Sequence, residues 1–330
     1  MSKAQPDTRH GAWIPICALA ALIVPWSLVQ AGRAIQEHRA ADPQGEVEIV
    51  NVSGTVEVDA WDRSEVEVGG TAGDNVERVD VSSAGNRTLI HVVSRSAHMW
   101  GSGGEAHLVV HVPAKSAVTA SLVSADFKVT GILGDLKVQS VSGNLKGDAG
   151  GNVRATTVSG DVRLTAHAAK MMEVKTISGD IQLMGGGGEA DVTTVSGSAL
   201  IELADVTRGR FKSVSGGMTA ELALAPDGQI ETESVSGDVS LKFAAAPAAE
   251  FDVQSFSGDI RNCFGPKPTE SHYGPGSRLM FKNGDGRARV RVNTKSGDVR
   301  LCAKDMNSAH VSMLSLARVR EVRMVFPYIY

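Results

Sequence analysis

Apolar and polar positions alternate along most of this chain, and a Ser-Gly pair breaks the alternation at nearly constant intervals. The phrase reads KVQSVSGNLKG at 137–147, RATTVSGDVRL at 154–164, EVKTISGDIQL at 173–183 and DVTTVSGSALI at 191–201. It continues as RFKSVSGGMTA at 210–220, ETESVSGDVSL at 231–241, DVQSFSGDIRN at 252–262 and RVNTKSGDVRL at 291–301. A degenerate copy, ASLVSADFKV, stands at 120–129. Apolar residues alternating with small hydroxyls on either side of a glycine describe two short strands meeting at a bend.

The anchors of the repeat are Ser124, Ser142, Ser159, Ser178, Ser196, Ser215, Ser236, Ser257 and Ser296, and the first seven intervals span 133 residues, a period of 19. That period exceeds a coiled-coil heptad and falls short of a propeller blade. It fits one coil of a β-solenoid, whose turns each hold two or three short strands. The fold expected is all-β: a β-solenoid of stacked coils of about 19 residues over 119–303. Stacking would place equal positions about 4.8 Å apart, giving hydroxyl ladders from the Ser/Thr positions and an aliphatic stack from the Val/Ile positions. One coil alone cannot bury its apolar side, and a stack can.

Each corner has its own chemistry. The pairs are Ser142 with Gly143, Ser196 with Gly197 and Ser215 with Gly216, and the triplets Ser159-Gly160-Asp161 and Ser178-Gly179-Asp180. Ser236-Gly237-Asp238, Ser257-Gly258-Asp259 and Ser296-Gly297-Asp298 complete the set. Glycine frees the backbone for a bend, and the Asp or Asn after it can bond corner amides. The residue before the anchor is Val, Ile or Phe except at Lys295, and Ala125 replaces the glycine in the degenerate copy.

Around this array lie three segments without the phrase. Residues 42–118 alternate as GEVEIVNVSG, TVEVDAW, SEVEVGG, RTLIHVV and HLVVHVP, and read as an irregular region of strands and hairpins. Between Ser257 and Ser296 the interval doubles to 39, with Pro and Gly marking turns: either an extra irregular coil or a chain that loops out and returns. Residues 304–330 carry no repeat and read as a capping segment, although Val322, Met324, Phe326, Tyr328 and Tyr330 alternate.

The N-terminus is laid out as an export signal. Lys3, Arg9 and His10 precede an apolar run from Trp13 to Val29, followed by Val29-Gln30-Ala31. Residues 1–31 are thus a cleaved signal peptide or an uncleaved membrane anchor at the short limit for crossing a bilayer; membrane contact is expected only through 13–29, if uncleaved. Cys17 follows Ile16, where a lipoprotein signal needs a small residue. Either way the body is expected outside the cytoplasm, at the periplasm or cell surface. Cys263 and Cys302 each lie six residues after their anchor, so directly stacked coils would bring them within disulfide reach.

The phrases themselves resemble a bacterial family known only as a "putative adhesin", or β-strand-repeat domain of unknown function. The resemblance rests on PQGEVEIVNVSGTVEVDAWD at 43–62, the repeated SVSGD phrase and the closing SGDIRNCFGPKP…YGPG…SGDVRLC pattern, and covers roughly residues 40–303. It implies an envelope location and a solenoid-like fold, and carries no catalytic residues to transfer.

Composition narrows the chemistry. With 33 basic and 37 acidic residues the chain shows no footprint for nucleic acid. Aromatics are 5%, and two of the four tryptophans, Trp13 and Trp26, lie in the export segment, which disfavours a sugar cleft lined by stacking rings. A row of Asp126, Asp161, Asp180, Asp238, Asp259 and Asp298 could bind calcium, but Asn144, Ser198 and Gly217 break it. Carboxylates one strand apart in water repel by only about 0.9 kcal/mol, so the row reads as corner caps. His91, His98, His107 and His111 read as solvent-facing strand residues; His107 and His111 would lie about 13 Å apart. Nine equivalent serines without a partnered histidine are not a nucleophile elbow, and GGGGE at 185–189 lacks the Lys-Ser/Thr of a phosphate loop.

No catalytic residue, cofactor or metal is therefore assigned. The expectation is a non-enzymatic exported envelope protein acting as scaffold or adhesin-like surface, with an envelope protein, a surface glycan or itself as partner. The alternatives are a membrane-anchored accessory or sensor of envelope stress signalling and a polysaccharide-active β-helix enzyme.

Overall fold

The computed structural model describes residues 32–95, 105–270 and 276–304, and within them the chain forms twenty-three β-strands and no helix. The expected signal or anchor at 1–31, His98, and the capping segment from 305 onward lie outside the described residues.

Each repeat forms a coil of two arms joined at its Ser-Gly corner. Leu136–Ser142 and Leu145–Ala149 are the arms of one coil, Val153–Ser159 and Val162–Ala166 of the next, and Met171–Ser178 and Ile181–Gly185 of a third. Equal positions pair in parallel from coil to coil: Ser124 with Ser142, Ser142 with Ser159, Ser159 with Ser178, Ser178 with Ser196, Ser196 with Ser215 and Ser215 with Ser236. The second arms follow the same order, Phe127 with Leu145, Val162, Ile181, Ala199, Met218 and Val239 in turn.

Strand alternation decides what each arm buries. In the coil of Ser159 the inward side chains are Val153, Ala155 and Thr157 on the first arm and Val162, Leu164 and Ala166 on the second. Every coil offers about six such positions, which explains why small aliphatics suffice and aromatics are few. Where a large ring enters, a neighbour shrinks: a Cβ on Gly209 would lie 2.8 Å from the Phe211 ring, so glycine makes the room that phenylalanine fills.

Two features differ from the sequence reading. The stack does not begin at 119. Glu46–Trp61 is itself a coil with its corner at Ser53, paired in parallel with Ala117–Ile132 through Ser53–Ser124 and Val56–Phe127. Nor is the order of coils the order of the chain. Ser236 pairs with Ser296, and Ser296 pairs with Ser257, so the coil of Ala288–Ser296 and Val299–Ala303 lies between that of Ser236 and that of Ser257.

Both ends share this interleaving. At one end, Glu46–Trp61 is flanked by 117–130 on one side and by Arg87–Ser94 and Ala106–Pro113 on the other. Val76–Ala84 then pairs antiparallel with Arg87–Ser94, Glu65–Ala72 with Ala106–Pro113, and Arg33–Ala40 with Glu65–Ala72. At the other, the chain loops out after Asn262 and returns as Ser277–Lys282, antiparallel to the first arm of the outermost coil, Ala249–Ser257. Antiparallel strands thus cover the ladder edges that a bare stack would leave open. Four rings close the second end: Phe251 stacks on Phe281 at 4.6 Å between centroids, and Phe243 and Phe264 meet Phe251 edge-on at 6.1 and 5.6 Å.

Candidate contact surface

The corners form the most regular surface of the molecule. Gly143, Gly160, Gly179, Gly197, Gly216, Gly237 and Gly297 have φ between 130° and 152°, where side chains are disfavoured. Each also passes close to the next coil: a Cβ on Gly179 would lie 2.7 Å from the carbonyl carbon of Gly160. Ala125 takes the corner without a left-handed φ, and Gly258, on the outermost coil, also lies outside that region.

Beside the glycines runs a hydrogen-bonded ladder. The amides of Asn144, Asp161, Asp180 and Ser198 donate to Oδ1 of Asp126, Asn144, Asp161 and Asp180, one coil away, at 2.8–3.1 Å. Asp298 donates likewise to Asp238, and Asp259 to Asp298, both at 2.9 Å. A carboxamide serves as well as a carboxylate, which accounts for Asn144 in the row. The amide of Asp180, and then the Arg163 guanidinium, hold the Asp161 carboxyl below its ordinary value against the opposing effect of burial.

The hydroxyls two residues before the anchors point inwards. Ser213, Ser234 and Ser255 donate to the carbonyls of Gly216, Gly237 and Gly297 at 3.0–3.1 Å, and Ser140 and Thr157 make longer bonds to Ser142 and Ser159. The hydroxyls of Thr176, Thr194 and Thr294 are buried without a hydrogen-bond partner.

An aliphatic stack also forms, but on the outside. Val52, Val123, Val141, Val158, Ile177, Val195, Val214 and Val235, the residues just before the anchors, are 40–51% exposed, whereas Thr157 and Thr194 beside them are at most 1% exposed. Only one parity can face the core, and the inward one includes Val138, Val174, Val192 and Phe211. Lys295 interrupts the row and Phe256, 65% exposed, stands beyond it on the outermost coil.

Charged side chains share this outer face of the first arm and pair between coils: Arg154 with Glu173 at 2.7 Å, Lys212 with Glu233 at 2.9 Å, and Arg210 with Asp191 at 4.0 Å. The Lys175 ammonium, with Arg154 second, keeps Glu173 below the ordinary carboxyl range. Exposed pairs of this kind contribute little stability singly; their alternation neutralises the face.

Cys263 and Cys302 form a disulfide with Cα atoms 4.8 Å apart, joining the outermost coil to the one inserted beneath it. Among the described residues the histidines do not form a group: His107 Nδ1 lies 3.1 Å from the Thr55 hydroxyl, while His111 stacks on Trp61 at 5.1 Å, and the Arg63 guanidinium lies over the Trp61 ring at 4.8 Å from its centroid. Neither the Ser53 corner nor the Trp61 stack is among the sites expected from the repeat phrase. The first was legible in the VSG of NVSGTVEV; the second pairs residues fifty positions apart and left no local signal.

Comparison with known proteins gives the family. Residues 45–302 match the model of the Toastrack family, DUF4097, and the chain belongs to that family. No curated protein matches it. Among solved structures, a "putative adhesin" from Bacteroides fragilis is 12% identical, with 82% of this chain and 97% of that one covered and a TM-score of 0.42. A "putative lipid binding protein" from Parabacteroides distasonis is 10% identical, with 82% and 97% covered and a TM-score of 0.43. A "putative cell adhesion protein" from Clostridium sporogenes is 7% identical, with 82% and 100% covered and a TM-score of 0.24. At these scores the likeness carries no argument about what this chain binds.

Proposed function

With family membership and the ladder geometry as premises, we propose that this chain is a β-solenoid of the bacterial envelope, exported, non-enzymatic, and working as a rigid scaffold with an adhesin-like contact face. The observation that carries the reading is the ladder itself: ten corners, Ser53 to Ser257, in one parallel register, presenting similar side-chain types at most steps. A surface built by repetition offers many equal weak contacts rather than one converging set of reactive groups, and suits multivalent attachment. The disulfide supports an oxidising compartment, and the basic-then-apolar N-terminus supports export.

Cell fractionation followed by the intact mass of the purified chain, with and without reductant, tests this. Recovery from the envelope with a mass two hydrogens below the free-thiol value is expected. Recovery from the cytosol with both thiols free would overturn it. A mass starting after Ala31 would indicate a released scaffold, and an intact N-terminus an anchored one.

A further inference from the structure

The outer aliphatic row is large for a protein that stands alone, near the upper end of the roughly 300–600 Å² that a monomer's largest apolar patch covers. Monomers rarely expose contiguous apolar patches beyond a few hundred Å². Here eight Val or Ile side chains, from Val52 to Val235, stand in consecutive coils, each 40–51% exposed. At about 4.8 Å per step the row is roughly 34 Å long. At roughly 60–70 Å² each, these side chains present on the order of 500 Å² of apolar surface.

Nothing in the fold requires the row. The parity is outward, the core is complete without it, and small polar residues such as Ser121, Gln139, Thr156 and Thr193 hold the adjacent outward positions. The ninth step, Lys295, shows that a charge fits the same backbone position.

We propose that this row is the interface of an antiparallel dimer, with a second copy of the chain as its occupant. Three observations select a second copy. A partner must match a rise of one strand per step over eight steps, and an identical ladder does so by construction. Two rows face to face remove about 1,000 Å², and the bordering Ser and Thr positions bring the total into the range of stable interfaces, about 1,200–2,000 Å². Charges agree as well. A two-fold axis between the coils of Ser159 and Ser178 opposes all eight residues without overhang, Val158 to Ile177, Val141 to Val195, Val123 to Val214 and Val52 to Val235. The same axis sets Lys137 against Asp191 and Arg154 against Glu173, while like charges meet as Glu48 with Glu231 at the two ends and, on the corner side of the row, as Asp161 with Asp180. Lys295 closes the row where the apolar match would otherwise run on.

The inference needs the ladder of the proposed scaffold but not its export, so the fractionation result leaves it standing either way. Sedimentation velocity of the full-length chain is expected to give a dimer, and the variant carrying Val158→Asp with Ile177→Asp a monomer with unchanged circular dichroism and an intact disulfide. Val141→Asp with Val195→Asp serves as a second pair. For the register, chains carrying Val141→Cys are mixed with chains carrying Val195→Cys and oxidised. A cross-linked dimer is expected in the mixture and not from Val141→Cys alone. A monomeric wild type, a dimer that survives both charged pairs, or cross-linking of Val141→Cys to itself would each overturn the proposal. So would a monomer that pellets with phosphatidylglycerol vesicles only while the row is intact, which would make the occupant a lipid surface.

Discussion

Replacing Gly179 by Ala should damage the stack far more than the loss of one hydrogen atom suggests. Gly179 has φ of 144°, and a new Cβ would lie 2.7 Å from the carbonyl carbon of Gly160 and 3.3 Å from the amide nitrogen of Asp161. Those are backbone atoms of the next coil, held by the Gly160 amide on the Ser178 carbonyl at 3.0 Å and by the Asp180 amide on the Asp161 carboxylate at 3.1 Å. Forcing an L-residue into left-handed backbone costs about 1–2 kcal/mol, and overpacking against atoms that cannot yield costs about 1–3 more. The expected loss is therefore about 2–5 kcal/mol. Two other glycines separate these terms. Gly85 has φ of 61° and open space around its Cβ position, so Ala there costs the backbone term alone, about 1–2 kcal/mol. Gly217 lies outside the left-handed region with its nearest neighbour 4.0 Å from a new Cβ, so Ala should stabilise by about 0.4–1 kcal/mol. Urea unfolding of the full chain, followed by far-ultraviolet circular dichroism under oxidising conditions, reads the order of midpoints. Because stacked coils can unfold in steps, hydrogen exchange at the corner amides should accompany it. A Gly179→Ala loss within about 0.5 kcal/mol of that for Gly85→Ala would refute the coil-contact argument.

Three further outcomes follow from the same geometry. Val192→Ser, at a fully buried position, should cost at least about 2 kcal/mol, while Val195→Ser on the outer row should stay within about 0.5 kcal/mol in the dissociated chain, both measured by urea midpoint. A carboxyl whose value folding lowers adds stability above its unfolded value and loses it as pH falls through the folded one. Asp161→Asn keeps the corner acceptor, as Asn144 does in the same row, but forfeits that ionic contribution. It should thus lower stability slightly at neutral pH, leave it nearly unchanged in acid, and flatten the acid limb of a stability–pH curve. Breaking the Cys263–Cys302 bridge, which closes 39 residues, by Cys302→Ser should cost roughly 2–4 kcal/mol, and exchange should rise first in 249–282.

The central array was legible because a period of 19 residues states the stacking directly: once Ser142 and Ser159 are equal, their pairing follows. The disulfide was legible for the same reason, since Cys263 and Cys302 hold equal places after Ser257 and Ser296. The facing of the Val row was harder. Val141 and Val138 are both aliphatic, and only the parity shared with Lys137 and Gln139 marks Val141 as the outer one. Lys295 in the same row was the available clue. At the ends the doubled interval marked a chain that loops out and returns, but the order of the coils was not legible, because Ser257 and Ser296 would match the ladder of Ser236 equally well. The choice between them rests on the antiparallel strands Thr269–Glu270 and Ser277–Lys282 and the rings of Phe251, Phe264 and Phe281, whose contacts have no repeat to announce them.

That interleaving constrains the route by which the chain reaches its final form. When residues 249–262 first meet the stack, the open edge before them belongs to 218–243, and the Ser-Gly phrase lets them seat there in matching register. The finished molecule has Ala288–Ala303 in that seat instead. The place beside 218–243 must therefore be open when 288–303 arrives. Adding coils in the middle of the chain leaves this step untouched, whereas duplicating either end would present two claimants for one place. Lengthening in evolution should accordingly fall between 117 and 243, with both ends kept as they are.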